Sequence, residues 1–555
     1  MLKHYLALFI ASSMLMHSSI KANAVIFDWF AYSTPELEPA LAKSQFRNPV
    51  LPGFYPDPSI TRKGKDFYLV TSTFAYTPGL PIFHSKNLVD WRQVGFALTR
   101  QSGIDFDGLS ISRGIFAPTI RYYNDVFYLI TTAVDSGGNF LLTARDPAGP
   151  WSKPIWLKEV GGIDPDLFFD DNGKAYVTHN DAPPGEPLYN GHRSIWMWEL
   201  DLTTKSVVAG TRRLLVDGGV DISQRPVWIE GPHIYKKDGW YYLICAEGGT
   251  GPQHSQVIFR TRSLDLPFEP YAGNPILTQR HLPFPRENAV DAAGHADFIQ
   301  GPDGRWFSVF LATRPYGDNR YNTGRETFLL PMQWEDDWPT ILTPDKAIPL
   351  SLLKPYPEIE GQSTNFNSWR DDFSEPQLSW RWQGVRTFDR SWLTLEDDQL
   401  HLAPLAASLS TVEQVAYIGV HQAHSSYEVS TSVLVPDDED ISGGLVAFQS
   451  EAFHYFLGVS RAEKGARVFI ERTIEGDSAV IATESLSVAA GEPVYLRISG
   501  HEGEIQFYFG DMSGYTGIPS HKEIPAAKKL DGRLLSTQTA GGFVGTTLGL
   551  HVRQD

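Results

Sequence analysis

The chain has 555 residues, which is enough for two or more domains that each bury a core. Its 47 basic and 65 acidic residues give a formal net charge of −18, which argues against nucleic acid or an anionic membrane surface as partner and favours a neutral substrate. Cys245 is the single cysteine, so no disulfide can form within the chain.

The amino-terminal segment 1–24 has the features of a secretory signal peptide. Lys3 supplies the positive start, a mostly apolar run extends from Tyr5 to Met16, and Ala-Asn-Ala at 22–24 matches an A-x-A cleavage site. The apolar run is too short to cross a bilayer, and no later stretch has the character of a membrane span. The sequence therefore predicts export, to the periplasm or out of the cell.

Five later segments share one pattern: a short apolar strand, a turn rich in Gly, Asp or Asn, and an aromatic strand, as in a hairpin. They are DPSITRKGKDFYLV from Asp57, APTIRYYNDVFYLI from Ala117, DPDLFFDDNGKAYV from Asp164, EGPHIYKKDGWYYLI from Glu230 and HADFIQGPDGRWFSVF from His295. The spacing between the first residues of successive segments is too long for the repeat of a helical solenoid, and it suits four-stranded propeller blades. The sequence therefore predicts an all-β protein with a five-bladed β-propeller in residues 25–350.

The first residues of the five segments are expected to meet at the propeller axis, because the innermost strand of each blade runs along the central channel. Asp57, Asp164 and Glu230 would bring three carboxylic acids there, and His295 an imidazole. Like charges that repel and lose hydration are costly as mere packing, so this convergence marks a candidate functional site. Five separate turn caps are the alternative interpretation.

The rest of the chain predicts a linker and a second domain. Residues 351–365 are rich in proline, as linkers often are. In residues 366–555, short alternating strands such as 427–433 and 494–498 are separated by turn clusters, and no helical period is sustained. We interpret this second region as a β-sandwich.

Three acids around one axis suit the hydrolysis of a glycosidic bond, which requires no cofactor. That reaction needs a proton donor for the leaving oxygen and a carboxylate on the opposite face of the sugar. A third acid beside the donor can raise its pKa and keep it protonated near neutral pH. A cation held by the same acids is one alternative, and a carbohydrate-binding propeller without catalysis is another.

The sequence resembles glycoside hydrolase family 43, in particular its β-xylosidase and α-L-arabinofuranosidase branch with a C-terminal β-sandwich. The matching phrases, in the family's order, are NPVLPGFYPDPSI, GLPIFHSKNLVDW, GIFAPTI, GIDPDLFFDDNGKAY, IEGPHIYKKDGWYYL, GHADFI and LATRP. The resemblance implies that Asp57 is the general base, Glu230 the general acid, and Asp164 the residue that tunes and orients the acid. Asp166 is the nearest rival for that third role, but it lies two residues further along the strand.

The resemblance also implies contacts around the substrate. His295 matches a channel histidine that relatives associate with a calcium ion or water, and Arg314 matches an arginine that contacts sugar hydroxyls. Phe116 occupies a pocket-wall position that is Trp in many relatives, and Phe74 suits either the pocket or the blade core. Phe543, in GGFVGTTLGL, matches a phenylalanine that reaches back into the pocket, with burial inside the sandwich as an equal alternative.

Together these matches imply an exo-acting, inverting β-xylosidase that releases xylose from the non-reducing ends of β-1,4-xylo-oligosaccharides. Inversion predicts that the carboxyl groups of Asp57 and Glu230 lie roughly 6.5–9.5 Å apart, whereas about 5 Å would indicate retention. α-L-Arabinofuranosidase activity, alone or in the same enzyme, is the alternative, since the two sugars present similar hydroxyl patterns; endo-arabinanase fits the closing second domain less well. The oligomeric state and a structural calcium ion are left open.

Overall fold

The computed structural model describes residues 24–35, 41–511, 522–524 and 529–555 of the chain. Strands dominate these residues, so the predicted all-β class is confirmed. Residues 1–23, which contain most of the predicted signal peptide, lie outside the described residues. Within the described ranges, no helix has the length and apolar character that a membrane crossing needs. The described residues form two compact units, which lie within residues 38–364 and within residues 1–37 with 365–555.

The strand β1 (Val25–Ser33) belongs to the second of these units, whereas the strands from β2 to β28 build the 38–364 unit. Sheet 1 contains β3 (Ser59–Lys63), β4 (Asp66–Val70), β6 (Gly79–Ser85) and β7 (Arg92–Leu98), and the short β5 (Tyr76–Thr77) lies between β4 and β6 in the chain. Sheet 2 contains β8 (Gly114–Ile115), β9 (Thr119–Tyr123), β10 (Val126–Val134), β11 (Gly138–Ala144) and β12 (Ile155–Trp156). Sheet 3 contains β13 (Ile163–Phe169), β14 (Ala175–Asp181), β15 (Ser194–Asp201), β16 (Ser206–Val207) and β17 (Arg213–Asp217).

Sheet 4 contains β18 (Glu230–Lys237), β19 (Trp240–Glu247), β20 (Ser255–Thr261), β21 (Glu269–Pro270) and β22 (Leu277–Thr278). Sheet 5 contains β23 (Asp291–Gln300), β24 (Trp306–Thr313) and β25 (Glu326–Pro331). Two small pairs complete this unit: β26 (Gln333–Glu335) with β27 (Trp338–Thr340), and β2 (Gln45–Arg47) with β28 (Ser351–Leu353). The start of the predicted linker is therefore part of a strand pair.

The five predicted hairpins are all present, and their first strands lie side by side. The antiparallel pairs are β3 with β4, β9 with β10, β13 with β14, β18 with β19, and β23 with β24. Contacts run from β3 to β9, β13, β18 and β23 in turn, and β23 contacts β3 again. The starts of these strands, where the predicted site residues stand, are therefore brought around one centre.

The second unit contains two antiparallel sheets around one core. One sheet has the order β31 (Leu393–Glu396), β32 (Gln399–Leu402), β1, β34 (Ser426–Leu434), β39 (Pro493–His501), β40 (Glu504–Asp511) and β41 (Lys522–Glu523), with β29 (Ser368–Asp371) beside β1 and β42 (Leu530–Asp531) beside β40. The other has the order β33 (Ala416–His421), β43 (Thr547–Gln554), β35 (Ile441–Ser450), β36 (Phe453–Ala462), β37 (Gly465–Ile474) and β38 (Asp477–Leu486). Outside them, β30 covers Gly384–Val385 and a short α-helix covers Thr537–Ala540. Phe27, Val429, Leu457 and Leu550 are among the core residues.

The strand β1 corrects the predicted domain boundary. Residue 25 was expected to open the propeller domain, but β1 pairs with β34 from Phe27–Val433 to Ser33–Glu428 and buries Phe27 and Phe30. The physical reason is that an alternating apolar strand joins whichever sheet offers unpaired backbone groups and a core for its buried face. Neighbourhood in the sequence does not decide which sheet that is.

Candidate active site

The backbone turns left-handed at or beside the predicted site residue in four of the five hairpins. The φ angle is +52° at Asp57, +53° at Asp164, +55° at Gly231 and +50° at His295. In sheets 3, 4 and 5 the strand register is also irregular at this point. Such bulges re-aim side chains, and left-handed backbone at non-glycine residues is strained and concentrates at functional sites.

Asp57 is a buried carboxylate with three polar neighbours. It is 4% exposed and accepts hydrogen bonds from Ser72 Oγ at 2.5 Å and from Arg325 Nη1 at 2.7 Å. His295 Nδ1 lies 3.9 Å from its Oδ1. Burial acts to raise the pKa of Asp57, but the charge of Arg325, followed by His295 and the Ser72 hydrogen bond, outweighs it and leaves the pKa below its ordinary value. Asp57 is therefore ionised and able to accept a proton.

Asp164 and Glu230 are linked through the backbone of Gly231. The Gly231 amide donates a hydrogen bond to Asp164 Oδ2 at 3.2 Å, which ties Asp164 to the residue that follows Glu230. Burial, and then the negative charge of Asp57, raise the pKa of Asp164 to about 7. Burial, and then the charges of Asp164 and Asp57, raise the pKa of Glu230 well above its ordinary value. Burial and the two neighbouring carboxylates therefore favour the protonated form of Glu230, whereas Asp57 favours the ionised form.

His295 lies between Asp57 and the backbone of Gly231. Burial lowers its pKa to about 4, so the ring is neutral near pH 7. Its imidazole lies against Gly231, where an added Cβ would stand 2.9 Å from His295 Nε2. Only a glycine fits this close approach, and its left-handed φ points to the same requirement. Gly231 therefore lets the histidine pack directly on the backbone beside Glu230.

The predicted calcium at His295 is not matched by a direct ligand set. In the described part of the chain, no group of three or more His, Cys, Asp or Glu side chains is arranged to hold a metal ion. A calcium ion bound through water stays a prediction, and no step of the chemistry below depends on it.

Two residues that the sequence analysis did not single out, Arg325 and Ser72, bond directly to Asp57. Arg314, the predicted sugar contact, instead makes two 2.7 Å hydrogen bonds to the fully buried Glu326. Its contact with substrate remains a prediction. A signal for Arg325 existed, because TGRETFLL places adjacent charged residues at the start of an apolar strand, where burial requires a partner.

Asp166, the rival for the role of Asp164, is engaged elsewhere. It is fully buried, its Oδ1 lies 2.8 Å from Arg121 Nη2, and its Oδ2 accepts a hydrogen bond from the Ile234 amide at 3.4 Å. These contacts leave Asp164 as the carboxylate that bonds to the Gly231 amide beside Glu230.

The predicted aromatic residues Phe74 and Phe116 lie together next to this site. Their ring centroids are 5.0 Å apart, and the Arg325 guanidinium stands 5.7 Å from the ring of Phe74. Phe74 is buried and also contacts Phe54, whereas Phe116 keeps part of its surface exposed. Phe116 is therefore the better candidate of the two for contact with a sugar.

Phe543 lies in the other unit, on the stretch that precedes β43. Its side chain is 38% exposed, so the alternative of burial within the core of that unit is wrong. Its predicted contact with substrate stays a prediction.

The site combines an ionised carboxylate, Asp57, with two acids of raised pKa, Asp164 and Glu230. A carboxylate and a proton-donating carboxyl group are the two groups that glycoside hydrolysis needs. The chain belongs to glycosyl hydrolases family 43, whose family model matches residues 46–339. A second model, the beta xylosidase C-terminal concanavalin A-like domain, matches residues 370–554.

Several proteins are similar over most of the chain. A xylosidase/arabinosidase of Butyrivibrio fibrisolvens is 37% identical over 91% of this chain and 95% of its own length. A non-reducing end alpha-L-arabinofuranosidase of Bacteroides ovatus is 36% identical over 92% of each chain. The crystal structure of a GH43_12 protein retrieved from a capybara gut metagenome is 38% identical, with a TM-score of 0.88 over 96% of this chain and 100% of that one.

Proposed function

We propose that this glycoside hydrolase is an exo-acting, inverting β-xylosidase that removes xylose from the non-reducing ends of β-1,4-xylo-oligosaccharides. The observation that carries the proposal is the opposite shift of two pKa values in one site, downward at Asp57 and upward at Glu230. Such a split supplies a base and an acid at the same pH. The printed names of the similar proteins, xylosidase/arabinosidase and arabinofuranosidase, favour these sugars.

In the proposed mechanism, Asp57 takes a proton from a water molecule while the water oxygen bonds to the anomeric carbon. Glu230 gives its proton to the glycosidic oxygen as the bond from the anomeric carbon to that oxygen breaks. The electron pair of the broken bond leaves with the aglycone, and the configuration at the anomeric carbon inverts. Asp164 keeps the pKa of Glu230 high through its negative charge, and solvent returns the proton from Asp57 to Glu230.

The finer fold belongs to this proposal: a five-bladed β-propeller followed by a β-sandwich. The closed series of contacts from β3 through β9, β13, β18 and β23 back to β3 supports five blades around one channel. The common core of the two sheets in the second unit supports the sandwich. The propeller is expected to present Phe116 and Arg314 to the substrate, and export of the chain is proposed from the character of residues 1–24.

The α-L-arabinofuranosidase activity is the second candidate, alone or alongside the first. The Bacteroides relative, which carries that name, covers this chain nearly from end to end. The chemistry of the three carboxyl groups would be the same for either sugar, so the choice depends on contacts with sugar hydroxyls.

Proton NMR of the purified protein with xylobiose, recorded before mutarotation, tests the proposal. Initial α-xylose would support an inverting β-xylosidase, whereas initial β-xylose would mean retention and would make Asp57 a nucleophile. The Asp57→Ala variant is the control and should produce no xylose. Hydrolysis of arabinofuranosides with xylobiose left intact would overturn the β-xylosidase proposal in favour of the second candidate.

A further inference from the structure

A second buried cluster lies further along the same first strands, and its centre is Arg121 on β9. The Arg121 guanidinium contacts a first strand of each of the other four sheets. Its partners are Ser59 Oγ at 3.3 Å and the Ile60 carbonyl at 3.4 Å on β3, Asp166 Oδ1 at 2.8 Å on β13, His233 Nδ1 at 3.0 Å on β18, and Asp297 Oδ2 at 2.7 Å on β23. One side chain therefore links all five sheets.

The carboxylates of this cluster are held by further hydrogen bonds. Asp297 also accepts from Ser59 Oγ at 2.6 Å, from the Ile60 amide at 3.0 Å and from the Tyr235 hydroxyl at 2.5 Å. Asp166 and Asp297 are both fully buried. Burial acts to raise the pKa of Asp297, but the charge of Arg121, followed by His233, outweighs it and holds the pKa below its ordinary value, so Asp297 is ionised at neutral pH. Buried ion pairs add little net stability compared with apolar packing, and their best-attested use is to fix one arrangement.

The cluster is close in sequence to every member of the active site. Its partners Ser59, Asp166, His233 and Asp297 follow the site residues Asp57, Asp164, Glu230 and His295 by two, two, three and two positions. In sheets 3, 4 and 5, the irregular strand register and the left-handed backbone lie between the site residue and the partner of Arg121. A bulge lets a strand end bend, so the direction of each site residue depends on where the strand is next fixed. In four sheets, that fixed point is a contact with Arg121.

We propose that Arg121 is a positioning residue for hydrolysis, which sets the relative placement of the four strand starts that carry Asp57, Asp164, Glu230 and His295. This inference rests on the proposed function. Arg121 touches no reacting atom in this scheme. It acts through Ser59, Asp166, His233 and Asp297, whose distances from one another it fixes.

The Arg121→Lys variant separates positioning from charge. Lysine keeps the positive charge but lacks the planar fork that reaches several acceptors at once. For the folded variant we expect kcat to fall about 10- to 100-fold, because small misplacements of catalytic groups have effects of that size. We expect KM to change by less than roughly threefold, since sugar contacts are made by other residues.

Arg553→Lys is the matched control. Arg553 is 16% exposed, close to the 15% of Arg121, and it makes two hydrogen bonds to Glu471 in the second unit, at 2.6 and 2.9 Å. A role in stability alone predicts that both variants lower the melting temperature and leave kcat of the folded enzyme unchanged. That result for Arg121→Lys would overturn the proposal.

Two further variants, Tyr235→Phe and Asp57→Ala, test the positioning role if Arg121→Lys does not fold and separate that role from the proposed function. If Arg121→Lys does not fold, Tyr235→Phe is the substitute, because it removes one hydrogen bond to Asp297 and no charge. It should lower kcat at least roughly threefold, the size expected for one lost hydrogen bond. An unchanged kcat would overturn the proposal. Activity that survives Asp57→Ala would overturn the proposed function and the premise with it, whereas an inactive Asp57→Ala beside a fully active Arg121→Lys would overturn the positioning role alone.

Discussion

At the scale of single residues, the charge of Arg325 decides the state of Asp57. Burial is the largest influence on the pKa of Asp57 and would raise it, and Arg325 is the largest opposing influence. The base of the proposed reaction is thus kept ionised by a neighbour that comes from a distant part of the chain, 268 positions away.

The first prediction concerns the acidic limb of the pH–rate profile. In Arg325→Met, burial acts almost unopposed, so the pKa of Asp57 rises and the acidic limb of kcat/KM should move to higher pH by about 1–3 units. Arg325→Lys keeps the charge and should move the limb less. An acidic limb that stays in place in Arg325→Met would show that Asp57 is not the titrating base.

The second prediction concerns proton donation by Glu230. In Glu230→Gln the leaving oxygen receives no proton, so substrates with poor leaving groups should lose most activity. Rates for xylobiose and for an activated aryl xyloside, measured side by side, check this. An equal loss on both substrates would contradict the assignment of Glu230 as the acid.

At the scale of elements, the left-handed bulges at the strand starts shape the site. The third prediction uses Gly231, where φ is +55° and an added Cβ would stand 2.9 Å from His295 Nε2. Gly231→Ala should therefore suffer a backbone cost of about 1–2 kcal/mol and also displace His295. We expect kcat to fall tenfold or more, as an order-of-magnitude estimate.

Gly64→Ala is the control for this prediction. Gly64 has a similar φ of +64°, but no atom lies within 4 Å of an added Cβ. It should show the backbone cost in the melting temperature while kcat stays at the wild-type value. Equal kinetic losses in both variants would assign the effect to the backbone and not to His295.

The sequence was sufficient to find the three acids and the histidine because they occupy equivalent places in a repeat. Arg325 and Ser72 were missed because they reach Asp57 from parts of the chain outside that repeat position. Arg121 lies within the repeat, but its segment begins with Ala117 where the others begin with an acid or a histidine. The sequence of one strand does not show that a side chain contacts four other strands. The bulges were missed because the irregular register depends on the partner strand.

At the scale of the whole molecule, the active site lowers stability above neutral pH. The pKa of Asp164 is raised from 3.8 to about 7. A carboxyl group with a raised folded pKa leaves stability intact below its unfolded pKa, and stability falls as pH rises from the unfolded to the folded pKa. At about 1.4 kcal/mol per pKa unit, the cost is on the order of 4 kcal/mol above pH 7.

The fourth prediction follows from the raised pKa of Asp164, which lowers stability as the pH rises. Asp164→Asn removes the buried charge, so it should raise the melting temperature at pH 8 and leave it nearly unchanged at pH 4. The same variant should move the alkaline limb of the pH–rate profile to lower pH, because Glu230 loses a like-charged neighbour. Thermal melts across this pH range and the rate profile are the measurements.

Asp297→Asn is the matched control for stability. Its folded pKa is lowered, so Asp297 contributes stability above its unfolded pKa and loses it as pH falls. Asp297→Asn should therefore lower the melting temperature at pH 8, and the difference should shrink in acid. A destabilising effect of Asp164→Asn at pH 8 would contradict the raised pKa of Asp164.

The placement of β1 has a consequence for the order of synthesis. Among the described strands of the second unit β1 is synthesised first, yet its partners β29, β32 and β34 follow about 340 to 400 residues later, a delay of roughly 20–80 s at 5–20 residues per second. During that interval a largely apolar segment has no neighbouring strand and is open to association with other chains. The segment that completes the second unit is therefore the one that a nascent chain must protect longest.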